Sequence, residues 1–249
     1  MDSCLRYTAS GHVFIAPEDN PDRVVDDLLR TDYAEEFCVA LDFDPLFIAR
    51  LMAAGFLVMS MKIPVGISRG ASSYSGAEPH FLLLPKLHLI RSVLFFSDLH
   101  IKKSIKPLLS RYELRVDRDF PGIMERCVRI HGDDWLTLPL QERLTQIRTC
   151  KDVQVRPVSF GVYRNGECKA GEFGVLAGRV YTSYSGYYDE KSAGTVQMVL
   201  TAQYLEDQGF AFFDLGMPMA YKHTLGACTI EPQHFVRLFR AARDQGKGI

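Results

Sequence analysis

The pattern of apolar and polar positions along the chain predicts alternating helices and strands. Two early helices have complete N-terminal signals, since Asn20-Pro21 and Asp44-Pro45 each precede apolar residues at helical spacing. Asparagine and aspartate are favoured N-caps, and proline is favoured in the first turn of a helix. Apolar runs at 36–43 and 56–63 predict one strand after each helix.

The rest of the chain continues this alternation. Strands are predicted at 81–89, 92–96, 114–117, 155–163, 168–176, 179–185 and 210–215, and helices at 102–111, 120–131, 139–149, 192–208 and from Pro232 onward. Asn165-Gly166 lies between two of these strands and is typical of a tight β-hairpin.

The order after residue 155 is strand, hairpin, strand, turn, strand, long helix, strand and helix. By analogy, this is the layout of an acyltransferase core of the GNAT-type N-acetyltransferases, whose sheet splays near the start of the long helix. We predict an α+β protein in which residues 80–249 form this acyltransferase-like domain with a mixed sheet. Residues 1–79 are predicted to form a small N-terminal α+β domain that ends in a Gly-, Ser- and Pro-rich linker at 64–79.

Composition and charge exclude several classes of protein. The 249 residues are 47% hydrophobic and 24% charged, as in ordinary globular proteins, and the apolar runs are too short for a membrane span. Residues 1–6 lack the pattern of a secretory signal. The six cysteines are far apart, so we expect no zinc site, no disulfide framework and a reducing compartment. The net charge of −1 excludes a general attraction to polyanions.

Several motifs, in their order and separation over about residues 38–243, resemble those of bacterial leucyl/phenylalanyl-tRNA–protein transferases. These motifs are Asp98-Leu99-His100-Ile101-Lys102-Lys103-Ser104, Phe120-x-x-Ile123-x-x-x-Cys127, Trp135-Leu136, Gly171-Glu172-Phe173-Gly174, Phe213-Asp214 and His223-Thr224-Leu225-Gly226-Ala227. The resemblance implies an enzyme that moves an aminoacyl group from the 3′ end of a charged tRNA to the N-terminus of a protein beginning with Arg or Lys. That addition marks the protein for degradation. It also implies a cytoplasmic monomer that acts away from membranes and without a metal or organic cofactor.

The resemblance further implies roles for individual residues. Asp214 would orient or deprotonate the attacking amine, Trp135 would stack on the terminal adenosine, and the strand edge at 178–184 would contact the acyl group. The predicted site comprises Asp214 and Tyr184 for catalysis, Trp135, Glu172, Tyr181, Ser183 and Gly216 for substrate binding, and Lys102, Lys103, Lys106 and Arg111 for tRNA phosphates. We expect the carboxylate, the indole and the splayed strand edge to face one hollow.

Each role has a structural alternative. In these alternatives, Asp214 only caps the following turn, Trp135 only anchors the core, and the basic run is a solvated surface.

The amino-acid pocket of the family also differs here. Glu172 replaces an apolar residue of that pocket, and Tyr181 replaces a Phe. If Glu172 points into that pocket, it indicates a polar or cationic donor side chain, because a buried carboxylate needs a partner. A register shift of one residue would instead turn Glu172 to solvent.

Three positions depart from the family's pattern. Gly216 stands where the family has Gln, and Tyr184 and Gly161 stand where it has Glu. An Asp–Gln relay therefore cannot operate, so either Tyr184 and Asp214 handle the proton differently or the transfer activity is lost or altered. A tyrosine hydroxyl is a poor base at its ordinary pKa of about 10.

Two other functions remain open on the sequence. An acyl-coenzyme A-dependent N-acetyltransferase is suggested by residues 191–196, which partly match a pyrophosphate-binding turn before a helix. A non-catalytic paralogue that only binds is suggested by the missing Gln and Glu. Inward packing of Tyr184, Tyr187 and Tyr188 would be a sign of that second alternative.

Overall fold

The residues that the structure describes contain eleven strands and eight α-helices. The computed structural model describes residues 5–31, 33–63, 80–151 and 153–245. The strands are β1 (Arg6–Tyr7), β2 (Val13–Phe14), β3 (Leu57–Ile63), β4 (His80–Lys86), β5 (Arg91–Leu94), β6 (Glu113–Val116), β7 (Val155–Arg164), β8 (Glu167–Ala177), β9 (Val180–Tyr188), β10 (Phe212–Gly216) and β11 (Cys228–Ile230). The helices are α1 (Pro21–Arg30), α2 (Pro45–Ala53), α3 (Lys106–Leu109), α4 (Phe120–His131), α5 (Leu138–Ile147), α6 (Ala193–Asp207), α7 (Ala220–Thr224) and α8 (Pro232–Asp244), with a 3-10 turn at Phe96–Asp98.

A seven-stranded mixed sheet organises these elements. Its order is β11-β5-β10-β9-β8-β7-β6, and two-stranded ladders join β1 to β2 and β3 to β4. β9 and β10 run parallel, whereas the other neighbouring strands of the large sheet run antiparallel. The protein therefore has a mixed α+β fold, as predicted.

Each face of the large sheet is covered by its own hydrophobic cluster. One cluster joins α1, α2, α4, α5 and α8 to residues such as Phe173 and Phe212, and we call this side the α4 face. The other joins α3 and α6 to residues such as Phe160, Tyr181 and Phe213, and we call it the α6 face. Because successive residues of a strand point to opposite faces, Phe212 and Phe213 belong to different clusters.

The local signals in the sequence place several elements correctly. Asn20 Oδ1 accepts hydrogen bonds from the backbone of Asp22 and Arg23, and Asp44 Oδ1 accepts them from Leu46 and Phe47. Both predicted N-caps are therefore confirmed.

The predicted hairpin between β7 and β8 is also confirmed. Asn165 and Gly166 have φ angles of 52° and 82°, as the two central residues of a type I′ turn require.

Two predicted elements differ in the structure: one strand is not formed, and one helix is shorter than predicted. Residues 36–43 do not form a strand and make only isolated bridges, such as Phe37 with Lys86 and Ala40 with Leu83. Pro85 on the facing strand accepts from Cys38 but has no N–H to donate, so a regular ladder is interrupted there. The basic helix predicted at 102–111 contracts to α3, because Pro107 fits only the first turn of a helix.

The predicted boundary between domains falls inside a strand ladder. β3 precedes the linker at 64–79, which lies outside the described residues, and β4 follows it, yet the two strands pair from Leu57–Lys86 to Ile63–His80. Val58 and Leu83 also share one hydrophobic cluster with Phe173 of β8. The division into two domains stays a prediction. No helix within the described ranges is both long and apolar enough to cross a membrane.

Gly226 provides a test of this packing. Its φ is +104°, and a Cβ atom there would lie 1.9 Å from the backbone oxygen of Asp98. We expect Gly226→Ala to lower the free energy of unfolding by roughly 2–4 kcal/mol, through overpacking and left-handed strain together. Gly166→Ala is the matched control, because its φ is +82° but nothing lies within 4 Å of the new methyl group. Equal losses in urea titrations of both variants would contradict this packing.

Candidate functional site

A buried ion pair lies at the end of β10. Asp214 is 0% exposed and Arg91 is 1% exposed. Arg91 Nε donates to Asp214 Oδ1 at 2.9 Å, and Arg91 Nη2 donates to Oδ2 at 2.6 Å. Thr182 Oγ1 donates to Oδ2 at 2.8 Å, and the Gly216 N–H donates to Oδ1 at 3.0 Å. Both carboxylate oxygens are therefore fully engaged by the protein itself.

The guanidinium of Arg91 is equally well held. Its Nη1 donates to the Gly55 carbonyl at 3.1 Å, and its centre lies 4.0 Å from the ring centroid of Phe235. These contacts place Arg91 and Asp214 on the α4 face, where Phe235 packs. Asp214 thus caps the following turn through the Gly216 N–H, as the structural alternative predicts, and also belongs to an interlocked pair that joins β5 to β10.

Tyr184 and Trp135 lie on the same face and are held by β3. The backbone N–H of Val58 donates to the Tyr184 hydroxyl at 3.1 Å, and that of Ser60 donates to the Trp135 carbonyl at 2.9 Å. Burial raises the pKa of the Tyr184 hydroxyl above its ordinary value. This hydroxyl therefore stays protonated and can donate a hydrogen bond, but it does not act as a base.

A β-bulge in β9 lies at Tyr184. Phe173 of β8 pairs with Ser185 of β9, whereas the next residue, Gly174, pairs with Ser183. Tyr184 is the extra residue between them, and bulges of this kind redirect a side chain and bend the strand.

Glu172, Ser183 and Tyr181 lie on the opposite face of the sheet. Glu172 is 3% exposed, and its Oε2 accepts from Ser183 Oγ at 2.8 Å. Burial raises the pKa of Glu172 to about 7, although Ser183, Gln197 of α6 and Lys222 lower it. Tyr181 is 0% exposed and belongs to the cluster on the α6 face. Glu172 is therefore turned into the protein, not to solvent.

The predicted residues thus divide between two faces, with Asp214, Tyr184 and Trp135 on the α4 face and Glu172, Ser183 and Tyr181 on the α6 face. A hollow shared by the carboxylate, the indole and the strand edge stays a prediction. β9 and β10 part after a short paired stretch: their pairing runs only from Val180–Phe212 to Thr182–Asp214, while β9 continues to Tyr188. We call this opening the β9–β10 gap. Ser183 and Tyr184 follow immediately on one side, and Gly216 follows on the other.

Sequence reasoning missed two buried cations beside the gap. Arg91 directly precedes the apolar run at 92–96, and its partner, Asp214, lies 123 residues further along the chain. Lys222 of α7 is 7% exposed, and its Nζ donates to the carbonyls of Leu215 at 2.5 Å and Met217 at 2.8 Å. Burial lowers the pKa of Lys222 to about 8, opposed by the charges of Asp214 and Glu172.

His88 is a further residue that the sequence did not single out. Its Nε2 has no hydrogen-bond partner among the described residues and lies 3.6 Å from where a Cβ of Gly216 would project. Burial, together with Arg91 and other cations, lowers the pKa of His88 to about 2, so the ring is neutral. The imidazole therefore occupies space next to the position where the family has a Gln side chain.

The four predicted phosphate contacts lie together on the surface. Lys102, Lys103, Lys106 and Arg111 are exposed, in and around the short helix α3. Ile105 of the same segment is buried in the cluster on the α6 face and fixes it there. Their role in binding phosphate stays a prediction.

Comparison with known proteins identifies the family. The sequence signature described as Leucyl/phenylalanyl-tRNA protein transferase matches residues 93–240, so the chain belongs to this family and the predicted resemblance is confirmed. A Leucyl/phenylalanyl-tRNA--protein transferase of Pseudomonas aeruginosa (strain LESB58) is 28% identical over 231 residues, covering 88% of this chain and 95% of that protein. One from Pseudomonas putida (strain W619) is 29% identical over 163 residues, covering 62% and 69%.

A solved structure is similar only at a low level. A functionally unknown conserved protein from Staphylococcus epidermidis ATCC 12228 aligns with 91% of this chain and 83% of its own, at a TM-score of 0.39 and 10% identity. This likeness is too low to bear on the fold.

The Arg91–Asp214 pair predicts a large stability effect. Asp214→Asn leaves a buried guanidinium without its counter-charge, and we expect the free energy of unfolding to fall by about 3–5 kcal/mol. Asp189→Asn is the control, since Asp189 lies 3.5 Å from Arg126 with both side chains partly exposed. It should change stability by less than about 1 kcal/mol. Similar denaturation midpoints for Asp214→Asn and wild type would show that the pair is not stabilising.

Glu172 predicts a pH dependence. Its pKa is about 7 in the folded protein and 4.5 ordinarily, so the folded state holds a proton that the unfolded chain releases. Stability should therefore fall as pH rises between these two values, by about 3 kcal/mol in total. Glu172→Gln cannot ionise and should lack this loss. Parallel unfolding curves for both proteins at about pH 5 and about pH 8 would measure it, and an identical pH slope would contradict the assignment.

Proposed function

We propose that this protein transfers an aminoacyl group from the 3′ end of a charged tRNA to the α-amino group of an acceptor protein. The observation that carries the proposal is the β9–β10 gap, which opens directly beyond the Thr182–Asp214–Arg91 cluster in a chain of this family. The gap presents strand-edge backbone and the Tyr184 hydroxyl at one point, as a reacting ester would require.

The reaction is the aminolysis of an ester. The acceptor's amine attacks the ester carbonyl carbon, an N–C bond forms, and the C–O bond to the ribose breaks. The ribose oxygen leaves with a proton, while the amine loses one. Because an ester is already activated, the enzyme contributes chiefly by positioning the reactants and by stabilising charge.

Residue roles in this proposal follow from the contacts. Tyr184, as a protonated donor, would hydrogen-bond the carbonyl oxygen as it gains negative charge. Asp214 would hold Arg91 and Thr182 in place beside the gap, since all its hydrogen-bond positions are engaged. Trp135 would stack on the terminal adenosine, and the small Gly216 would leave room for the amine. Lys102, Lys103, Lys106 and Arg111 would contact tRNA phosphates.

The finer description of the fold is part of the same proposal. β9, α6 and β10 form a strand–helix–strand unit with parallel strands that separate beyond a short paired stretch. This arrangement supports a GNAT-type acyltransferase core, in which such a separation exposes the backbone to the acyl donor. The acceptors would be proteins that begin with Arg or Lys and are destined for degradation, and the enzyme would act as a monomer in the cytoplasm, where charged tRNA is found.

A second candidate is a protein that binds these partners without catalysing transfer. Tyr187 is buried and Tyr184 is half-buried, so two of the three tyrosines after the gap pack inward, while Tyr188 is 65% exposed. The Asp214 carboxylate, whose hydrogen-bond positions are all occupied by the protein, also favours this second candidate. An activity assay separates this candidate from the enzyme.

The test uses the purified full chain, tRNA charged in turn with each labelled amino acid, and peptides beginning with Arg, Lys, Asp or Glu. We expect label in the Arg and Lys peptides. Tyr184→Phe should lower the transfer rate by roughly a hundredfold, because it removes the proposed oxyanion donor. Tyr188→Phe, on the exposed part of the same strand, should leave the rate unchanged.

If no peptide becomes labelled, the proposed transfer activity is wrong, and the candidate that only binds is favoured. Acetyl-coenzyme A should not raise the melting temperature. A rise, with no rise from puromycin-like aminoacyl nucleosides, would favour the N-acetyltransferase alternative.

A further inference from the structure

β10 loses both of its strand neighbours at Leu215. Its pairing with β9 ends at Asp214, and its pairing with β5 passes from Asp214 directly to Gly216. Leu215 is therefore a bulge residue, and Gly216 after it has a φ of +68°, a left-handed conformation that favours glycine. Leu215 is buried, and a buried carbonyl released from its ladder needs a donor from outside the sheet.

The side chain of Lys222 supplies this donor. Its Nζ donates to the Leu215 carbonyl at 2.5 Å and to the Met217 carbonyl at 2.8 Å, so one ammonium bridges the residues on either side of Gly216. Lys222 belongs to α7, and its own carbonyl accepts the Leu225 N–H at 3.0 Å. α7 therefore holds the end of β10 through the hydrogen bonds of one buried side chain.

The charge of Lys222 is offset by buried carboxylates on two strands. Burial lowers the pKa of its ammonium to about 8, while the charges of Asp214 on β10 and Glu172 on β8 act against that shift. The neighbouring His88 ring is neutral, and the Tyr221 ring centroid lies 5.7 Å from Nζ. The ammonium is thus charged at neutral pH, and a charged donor forms hydrogen bonds that are roughly twice as strong as neutral ones.

This contact determines what lies next to the free edge of β9. Beyond Thr182, β9 continues through Ser183 and Tyr184, and no strand in the described part of the chain pairs with that edge. The N–H and C=O groups of a free strand edge readily pair with another strand. If β10 were not held, the Leu215 carbonyl would be available to this edge, and the ladder could extend and close the gap. The Lys222 ammonium occupies that carbonyl, so the edge of β9 is left to a ligand.

We propose that Lys222 is a positioning residue for aminoacyl transfer: its ammonium holds the end of β10 away from β9 and keeps the β9–β10 gap open for the ester. This inference rests on the proposed function and adds a residue that acts through the backbone around Gly216. The Gly216 N–H donates to Asp214 Oδ1 at 3.0 Å, so a displaced Gly216 would also loosen Asp214. Small displacements of the groups around a reaction lower its rate strongly.

Transfer kinetics test the role of Lys222. Lys222→Met fills a similar volume without a donor, and we expect its kcat to fall roughly a hundredfold. The KM for charged tRNA should change little, because the predicted tRNA contacts lie on other elements. Lys222→Arg keeps a charged donor and should recover most of the rate. Lys151→Met changes an exposed lysine and should behave as wild type. A folded Lys222→Met with the wild-type kcat would overturn the inference.

A second variant covers the case in which Lys222→Met does not fold. Lys222→Ala leaves room for propylammonium, which has the same atoms as the lysine side chain beyond Cβ. Added propylammonium should raise the kcat of Lys222→Ala several-fold and leave that of the wild type unchanged. No rescue of the folded variant, or equal rescue by tetramethylammonium, which has no N–H group, would refute the role of the ammonium.

Hydrogen exchange of the full chain gives a readout that does not depend on catalysis. In Lys222→Met, backbone amides at 183–185 should exchange more slowly than in wild type, because the extended ladder protects them. The hairpin at 164–167 should exchange as before. Unchanged or faster exchange at 183–185 in the folded variant would contradict the inference, whether or not transfer is seen. Absence of transfer by the wild type would defeat the proposed function, and with it the role of Lys222 in transfer, and leave its hold on the gap to the exchange result.

Discussion

The pairing of Arg91 with Asp214 is the interaction on which the centre of the molecule depends. It joins β5 to β10, and through Gly55 and Phe235 it ties α2 and α8 to the same point. Two charges removed from water are costly unless each is fully satisfied. Here each oxygen of Asp214 accepts two hydrogen bonds, so the position of β10, and with it the β9–β10 gap, is fixed with little freedom.

The two buried carboxylates of the sheet, Asp214 and Glu172, differ in the groups that bind their oxygens. Asp214 is bound on both oxygens and has a guanidinium beside it, whereas Glu172 is held by the neutral side chains of Ser183 and Gln197. Environments that separate two acids in this way often separate their tasks. Asp214 is suited to organising structure around the reaction, whereas burial raises the pKa of Glu172 to about 7, so that it can hold a proton near neutral pH.

Much of the framework could be predicted because its causes are local. Asn20 and Asp44 cap their helices through atoms two and three residues away, and Asn165-Gly166 forms its turn alone. Arg91 could not be predicted, because its partner lies 123 residues further along the chain. The strand expected at 36–43 failed for a similar reason, since a distant proline on β4 decides whether the ladder continues. The resemblance supplies candidate residues for the site, but it does not say which face of the sheet each of them occupies.

The bulge at Tyr184 shows how one inserted residue links these observations. Without it, strict alternation would set Ser183 and Ser185 on the same face of β9. With it, Tyr184 and Ser185 both lie on the α4 face, and alternation resumes from there, so that Tyr187 is buried on that face too. Ser183 and Tyr184 lie on opposite faces by ordinary alternation, so the strand presents one hydroxyl to Glu172 and the next to the α4 face.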